Sequence, residues 1–338
     1  LPDTPGKLFP NNYVFTDTEH YLELTWHDIS IEEDNYILER SADGVNFQIL
    51  AVLPANTETY TDSDLQQDNY YYRLKASNSI GASPASNTVQ TNQYQSPTQT
   101  IYVSATGAGA MDGTSESNAY GNFGTAMADI NSEGDKLIII GTINPTGQNL
   151  SSKNFAFTIE GLDSNSVLGS SGTSRLFTIN SATSANVTFN NLTFLNNNTT
   201  LAGGSVFYNN NAGATASFEN CTFNGNSVSN AAGGGAIYFA NGNLSISNCS
   251  FVNNSSDDEG GAIFLQSGTT TITNSIFETN DATTKGGAIH LNNGDLTIAN
   301  CTFLNNTAAN NGGAIAGIGS GNLTISGSLL ATTFNNSS

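Results

Sequence analysis

The chain has 338 residues, 34 of them glycine, and only 8 lysines and arginines against 28 aspartates and glutamates, a formal net charge of −20. That balance argues against nucleic acid as a ligand, because phosphate backbones need cationic partners, and it disfavours anionic membranes and polyanionic glycans unless a divalent cation bridges. No apolar run reaches the ~18 residues that would cross a membrane as a helix. The opening LPDTPG, without methionine, is what a mature secreted chain would present.

The first 92 residues read as short alternating strands: YLELTWHDI from Tyr21, NYILERSADGVNFQIL from Asn35 and NYYYRLKASN from Asn69, with ADG as a hairpin signal. The arrangement resembles a fibronectin type III domain over residues 9–92. Trp26 stands in the place of that family's buried tryptophan, Tyr36 on the strand that follows it, and Tyr70 at the tyrosine corner. The resemblance implies a β-sandwich at 1–92 and says little about function. The loop NSIG lacks the Arg-Gly-Asp cell-binding tripeptide. Residues 93–100, within TNQYQSPTQT, read as a linker.

From Ile101 the pattern changes, and residues 101–338 are expected to form a right-handed parallel β-helix, an all-β chain overall. Residues 101–150 would be its opening, with FGTAMADIN as a helical cap over an otherwise bare sheet edge and core. Residues 190–338 carry regular repeats. GGAI recurs at Gly234, Gly260, Gly286 and Gly312, so the period is 312 − 286 = 26. In the unit from Gly260, AIFL, TTTI and SIF supply three short strands, and ETNDATTK returns to the next glycine pair. Such coils stack ~4.8 Å apart, and about nine are expected.

The columns follow from the period. Asn191, Asn220, Asn248, Asn274 and Asn300 share one slot, suited to left-handed turns and to an amide ladder. Phe194, Phe223, Phe251, Phe277 and Phe303 share a second, and Asn197, Asn226, Asn254, Asn280 and Asn306 a third. Cys221, Cys249 and Cys301, with Ser275 between them, are expected to form a buried column of unpaired thiols. These units resemble the polymorphic outer-membrane protein repeat, with its GGAI and F-x-x-N motifs, over residues 190–325; that resemblance implies a bacterial surface or exported protein.

Two candidate sites emerge. After each glycine pair, Val206, Ile237, Ile263 and Ile289 are expected to point inward, which leaves Phe207, Tyr238, Phe264 and His290 as an outward stripe for a partner or a stacked sugar. Asp257, Asp258 and Glu259, with Glu278 and Asp281 in the next return loop, are a weak Ca²⁺ candidate, without EF-hand or nonapeptide spacing. Catalytic residues are not expected. The basic residues Lys136, Lys153, Arg175 and Lys285 are dispersed, and the repeat strands lack the paired carboxylates of glycoside hydrolysis.

The expectation is therefore a non-enzymatic, secreted or cell-surface structural or adhesive protein without a required cofactor. It would assemble head to tail with itself, or bind surface glycans or proteins of a host or neighbouring cell. The alternative is a polysaccharide-binding or polysaccharide-degrading β-helix.

Overall fold

The computed structural model describes residues 1–15, 20–30, 32–63, 65, 69–91, 98–145, 147–169, 173–180, 185–230, 232–317 and 321–331. Two compact units divide the chain, Leu1–Pro97 and Thr98–Ser338. The expected linker falls mostly on undescribed residues, and its last residue already belongs to the strand Thr100–Ser104.

The first unit is a β-sandwich of two antiparallel sheets. One pairs Phe9–Phe15, His20–Thr25 and Thr59–Asp62; the other orders Gln48–Pro54, Asn35–Ser41, Tyr71–Asn78 and Gly81–Ala82, with Val89–Gln90 also on Tyr71–Asn78. Alternation in sequence becomes alternation in burial: Leu22 and Leu24, then Tyr36 and Leu38, then Tyr72 and Leu74 are all fully buried. Trp26 packs edge-on against Tyr36, 5.9 Å between ring centres. Tyr70 is buried beneath the Arg40 guanidinium, while Tyr72, also buried, donates its hydroxyl to Asp62 at 2.8 Å. Residues 66–68, which precede the expected corner, lie outside the described residues.

The second unit is a right-handed parallel β-helix with about six regular turns of roughly 27 residues, and its longest sheet stacks nine strands once the irregular opening coils are included. The three strands expected per coil build three parallel sheets of nine, eight and seven strands. A fourth sheet of five two-residue strands, such as Asp281–Ala282, lies in the return segment. The cap is the helix Phe123–Asp129, which buries Phe123, Ala126 and Met127. Asn122 starts it by accepting from the Thr125 amide at 2.9 Å. Lys153 ends it, its ammonium donating to the carbonyls of Met127 and Ile130, where a cation also suits the helix dipole.

Inside, side chains stack on their own copies. The phenylalanine column is fully buried, with neighbouring rings 4.3–4.8 Å apart. The first asparagine column turns the chain as expected, with φ of 50–53°. Its amides do not make the continuous ladder, however: Asn191 donates to the Gly161 carbonyl and Asn220 to Asn190. The ladder runs through Asn197, Asn226, Asn254, Asn280 and Asn306, all fully buried. There each Nδ2 donates to the Oδ1 of the next coil at 2.8–2.9 Å. These buried amides need partners, and for Asn226, Asn254 and Asn280 the identical residues one coil away supply both donor and acceptor. At the first rung the Asn197 Oδ1 has no hydrogen-bond partner among the described residues.

The cysteines are unpaired and buried. The Cys221 amide donates to Cys249 Sγ, the Cys249 amide to Ser275 Oγ, and the Cys301 amide to Ser328 Oγ, so sulfur and hydroxyl serve one structural slot. Burial raises the thiol pKa of Cys221 and Cys301 above the ordinary value, which keeps them protonated and unreactive.

Candidate functional site

The stripe on the third sheet differs from expectation in register and in exposure. The corner glycine of the first regular coil is Gly204, not Gly203. A Cβ on Gly204 would meet the Phe207 carbonyl at 2.1 Å, as one on Gly234 would meet the Ile237 carbonyl. Phe207 therefore pairs with Ile237, is fully buried, and belongs to the core column. The stripe is Tyr208, Tyr238, Phe264 and His290, continued by Ala316.

Nor is it an open platform. The rings lie face to face along the axis: Tyr208 on Tyr238 at 4.9 Å, Tyr238 on Phe264 at 5.1 Å, and Phe264 on His290 at 5.3 Å. The Arg175 guanidinium covers the lower face of the ladder, its central carbon 4.0 Å from the Tyr208 ring centre. Sugar stacking needs a free ring face. Here the faces of the interior rings are taken by neighbours, so only edges remain. Tyr208 and Tyr238 are half-buried, Phe264 is 6% exposed and His290 0%.

The return loops close the stripe. Glu259 Oε1 lies 2.9 Å from Lys285 Nζ, and Oε2 lies 3.3 Å from His290 Nε2. That last contact is off hydrogen-bonding geometry, and neither imidazole nitrogen has a hydrogen-bond partner among the described residues. Burial lowers the imidazole pKa below its ordinary value, although Glu259 pulls the other way, so His290 is neutral near pH 7.

The acidic residues of the Ca²⁺ candidate diverge. Asp257 is exposed, Asp258 accepts from the Thr284 hydroxyl at 3.2 Å, and Glu259 turns toward Lys285 and His290. Asp281 sits on the fourth sheet beside Ser255 and accepts from the Thr307 hydroxyl. Among the described residues, no three acidic, histidine or cysteine side chains are placed to hold a metal ion.

The solenoid's cations are also engaged within the fold. Lys136 pairs with Glu160 at 2.7 Å, Lys153 caps the helix, Arg175 donates to the carbonyls of Gly203 and Ala202, and Lys285 holds Glu259. Sequence reasoning listed these four residues but could not place their partners, which lie 23 to 28 residues away or, for Lys136, one strand over.

A sequence family described as right handed beta helix region matches residues 179–331. No curated protein matches the chain. Among solved structures, the 6th fibronectin type III domain from human fibronectin type III domain containing protein 3 is similar at 24% identity and a TM-score of 0.22. The likeness covers 26% of this chain and 82% of that domain.

Proposed function

We propose that this chain is a non-enzymatic structural or adhesive protein of the cell exterior, built on outer-membrane-type GGAI and F-x-x-N repeats. The observation that carries the reading is the engagement of all four solenoid cations with the fold's own carbonyls and carboxylates. A lyase would need such a group free as a base, and a binder of acidic glycans would need it free as a counter-charge. In a β-helix, a family architecture that serves both structural and polysaccharide-related proteins, this internal engagement favours the structural role.

Head-to-tail assembly is part of the same proposal. Leu323 and Ile325 are 44% and 38% exposed, whereas Leu296 and Ile298, one coil earlier in the same columns, are 1% and 0%. A strand from a second copy laid on Leu323–Ser326 would bury them as a further coil does. The full native chain is the material for the test. Incubation with polygalacturonate, alginate or neutral glycans, with and without Ca²⁺, is expected to release no unsaturated or reducing ends, and electron microscopy is expected to show end-to-end filaments. Turnover would overturn the non-enzymatic reading; monodisperse particles at high concentration would overturn assembly.

A further inference from the structure

Glu259 fills a slot that the two coils below it leave to glycine. Gly203 lies against the Tyr238 ring and Gly233 against Phe264, where an added Cβ would come within 2.6 and 2.5 Å of ring carbons. One coil on, the same pair of slots holds Glu259 and His290. Glycine beneath an apolar ring has become a carboxylate beside an imidazole, and the carboxylate is shared with Lys285.

The imidazole is enclosed. Phe264 covers one face and the other meets the coil of Ala316, its partner in register. The charged groups that face it are Glu259 and Asp258 from the loop below and Lys285 from the loop leading into its own strand. With a neutral imidazole the near pair Glu259–Lys285 balances. An imidazolium would add a charge to a closed space in which Glu259 already serves an ammonium and Asp258 accepts from the Thr284 hydroxyl, so burial opposes the proton more than the two carboxylates favour it.

We propose that Glu259, Lys285 and His290 form an acid-sensitive joint in the solenoid: proton uptake by His290 opens the coil around Lys285–Leu291 while the coils below stay closed. The sign follows from the imidazole's lowered pKa in the closed coil. The open form titrates near the ordinary value of about 6.5, so it binds more protons than the closed form as pH falls through that value. Each further pH unit favours opening by about tenfold, until the closed form also titrates. The other histidines, His20 and His27, belong to the first unit.

Hydrogen exchange of the full chain tests this, read as protection corrected for intrinsic exchange. Between about pH 7.5 and about pH 5.5, amides of 285–292 are expected to lose about tenfold in protection relative to 215–252, reversibly. His290→Phe, which continues the ladder, is expected to abolish the loss. The double variant Glu259→Gly with His290→Phe, which copies Gly233 and Phe264, is expected to do the same and gives the answer if the single variant folds poorly. Unchanged relative protection in the native chain, or an equal loss in the double variant, overturns the joint.

Discussion

Thr279 holds a left-handed backbone, φ 54°, at a corner where the flanking coils place Asn253 and Asn305 at 56° and 53°. A β-branched residue is strained there, because its Cβ crowds the following carbonyl, while asparagine tolerates the conformation. The side chain is exposed, so no packing compensates. Thr279→Asn is expected to stabilise the solenoid by ~0.5–1 kcal/mol, read as a higher urea midpoint at constant slope; a lower midpoint would mean that the corner is not strained. The same scale explains the misplaced stripe. Residues 203–207 read GGSVF and 234–238 read GGAIY, so matching the glycine doublets shifts the first coil by one. On a strand one residue reverses the face, and Phe207 moves from surface to core.

At the scale of the element, the columns are what stacking requires. Phe277 sits between Phe251 and Phe303, at 4.7 and 4.8 Å and nearly parallel to both. Each such contact is worth roughly 0.5–1.5 kcal/mol beyond burial. Phe277→Ala is expected to cost ~3–5 kcal/mol and to loosen the coils on both sides, because solenoid stability is nearest-neighbour. Hydrogen exchange across 250–310 is the measurement, and unchanged protection there would refute the stack. Periodicity made these columns legible, along with the helical cap and the cysteine slot. It could not say which of two asparagine columns faces inward: Asn274 and Asn280 repeat equally well, yet the first is exposed at a left-handed corner and the second is fully buried. The fourth strand was invisible because two residues carry no alternation. The closure of the stripe was hidden because Glu259 and His290 are 31 residues apart and meet only when coils stack.

For the whole molecule, the two hydrophobic cores share no residue. Calorimetry is expected to show two transitions, with Phe277→Ala moving only one. The other belongs to the sandwich, where Arg73 and Lys75 hold Glu39 at 2.5 and 2.9 Å. Burial pushes the Glu39 pKa up, but the hydrogen bonds and charges of Lys75 and Arg73 outweigh it and bring it below the ordinary value. A lowered carboxylate contributes stability above its unfolded pKa, about 4.3, and loses it as pH falls through the folded value. Glu39→Gln is therefore expected to flatten the acid dependence of the sandwich transition and to leave the solenoid transition in place. A single transition displaced by both substitutions would contradict separate cores.

The asparagine ladder gives the solenoid an electrical sense of direction. From Asn226 to Asn306 each Oδ1 takes the backbone amide and the Nδ2 of the coil before it, while each Nδ2 also reaches back to a phenylalanine carbonyl, as Asn254 does to Phe223. At the first rung Asn197 Nδ2 reaches the Leu168 carbonyl, and its Oδ1 has no hydrogen-bond partner among the described residues. No amide can be flipped without losing these contacts, so the dipoles from Asn197 to Asn306 align like cells wired in series. Such a column is a polar line, and its two poles are chemically unlike: one offers hydrogen, the other oxygen. A copy spliced on in reverse would set like pole against like, whereas one added in the same sense would lengthen the circuit.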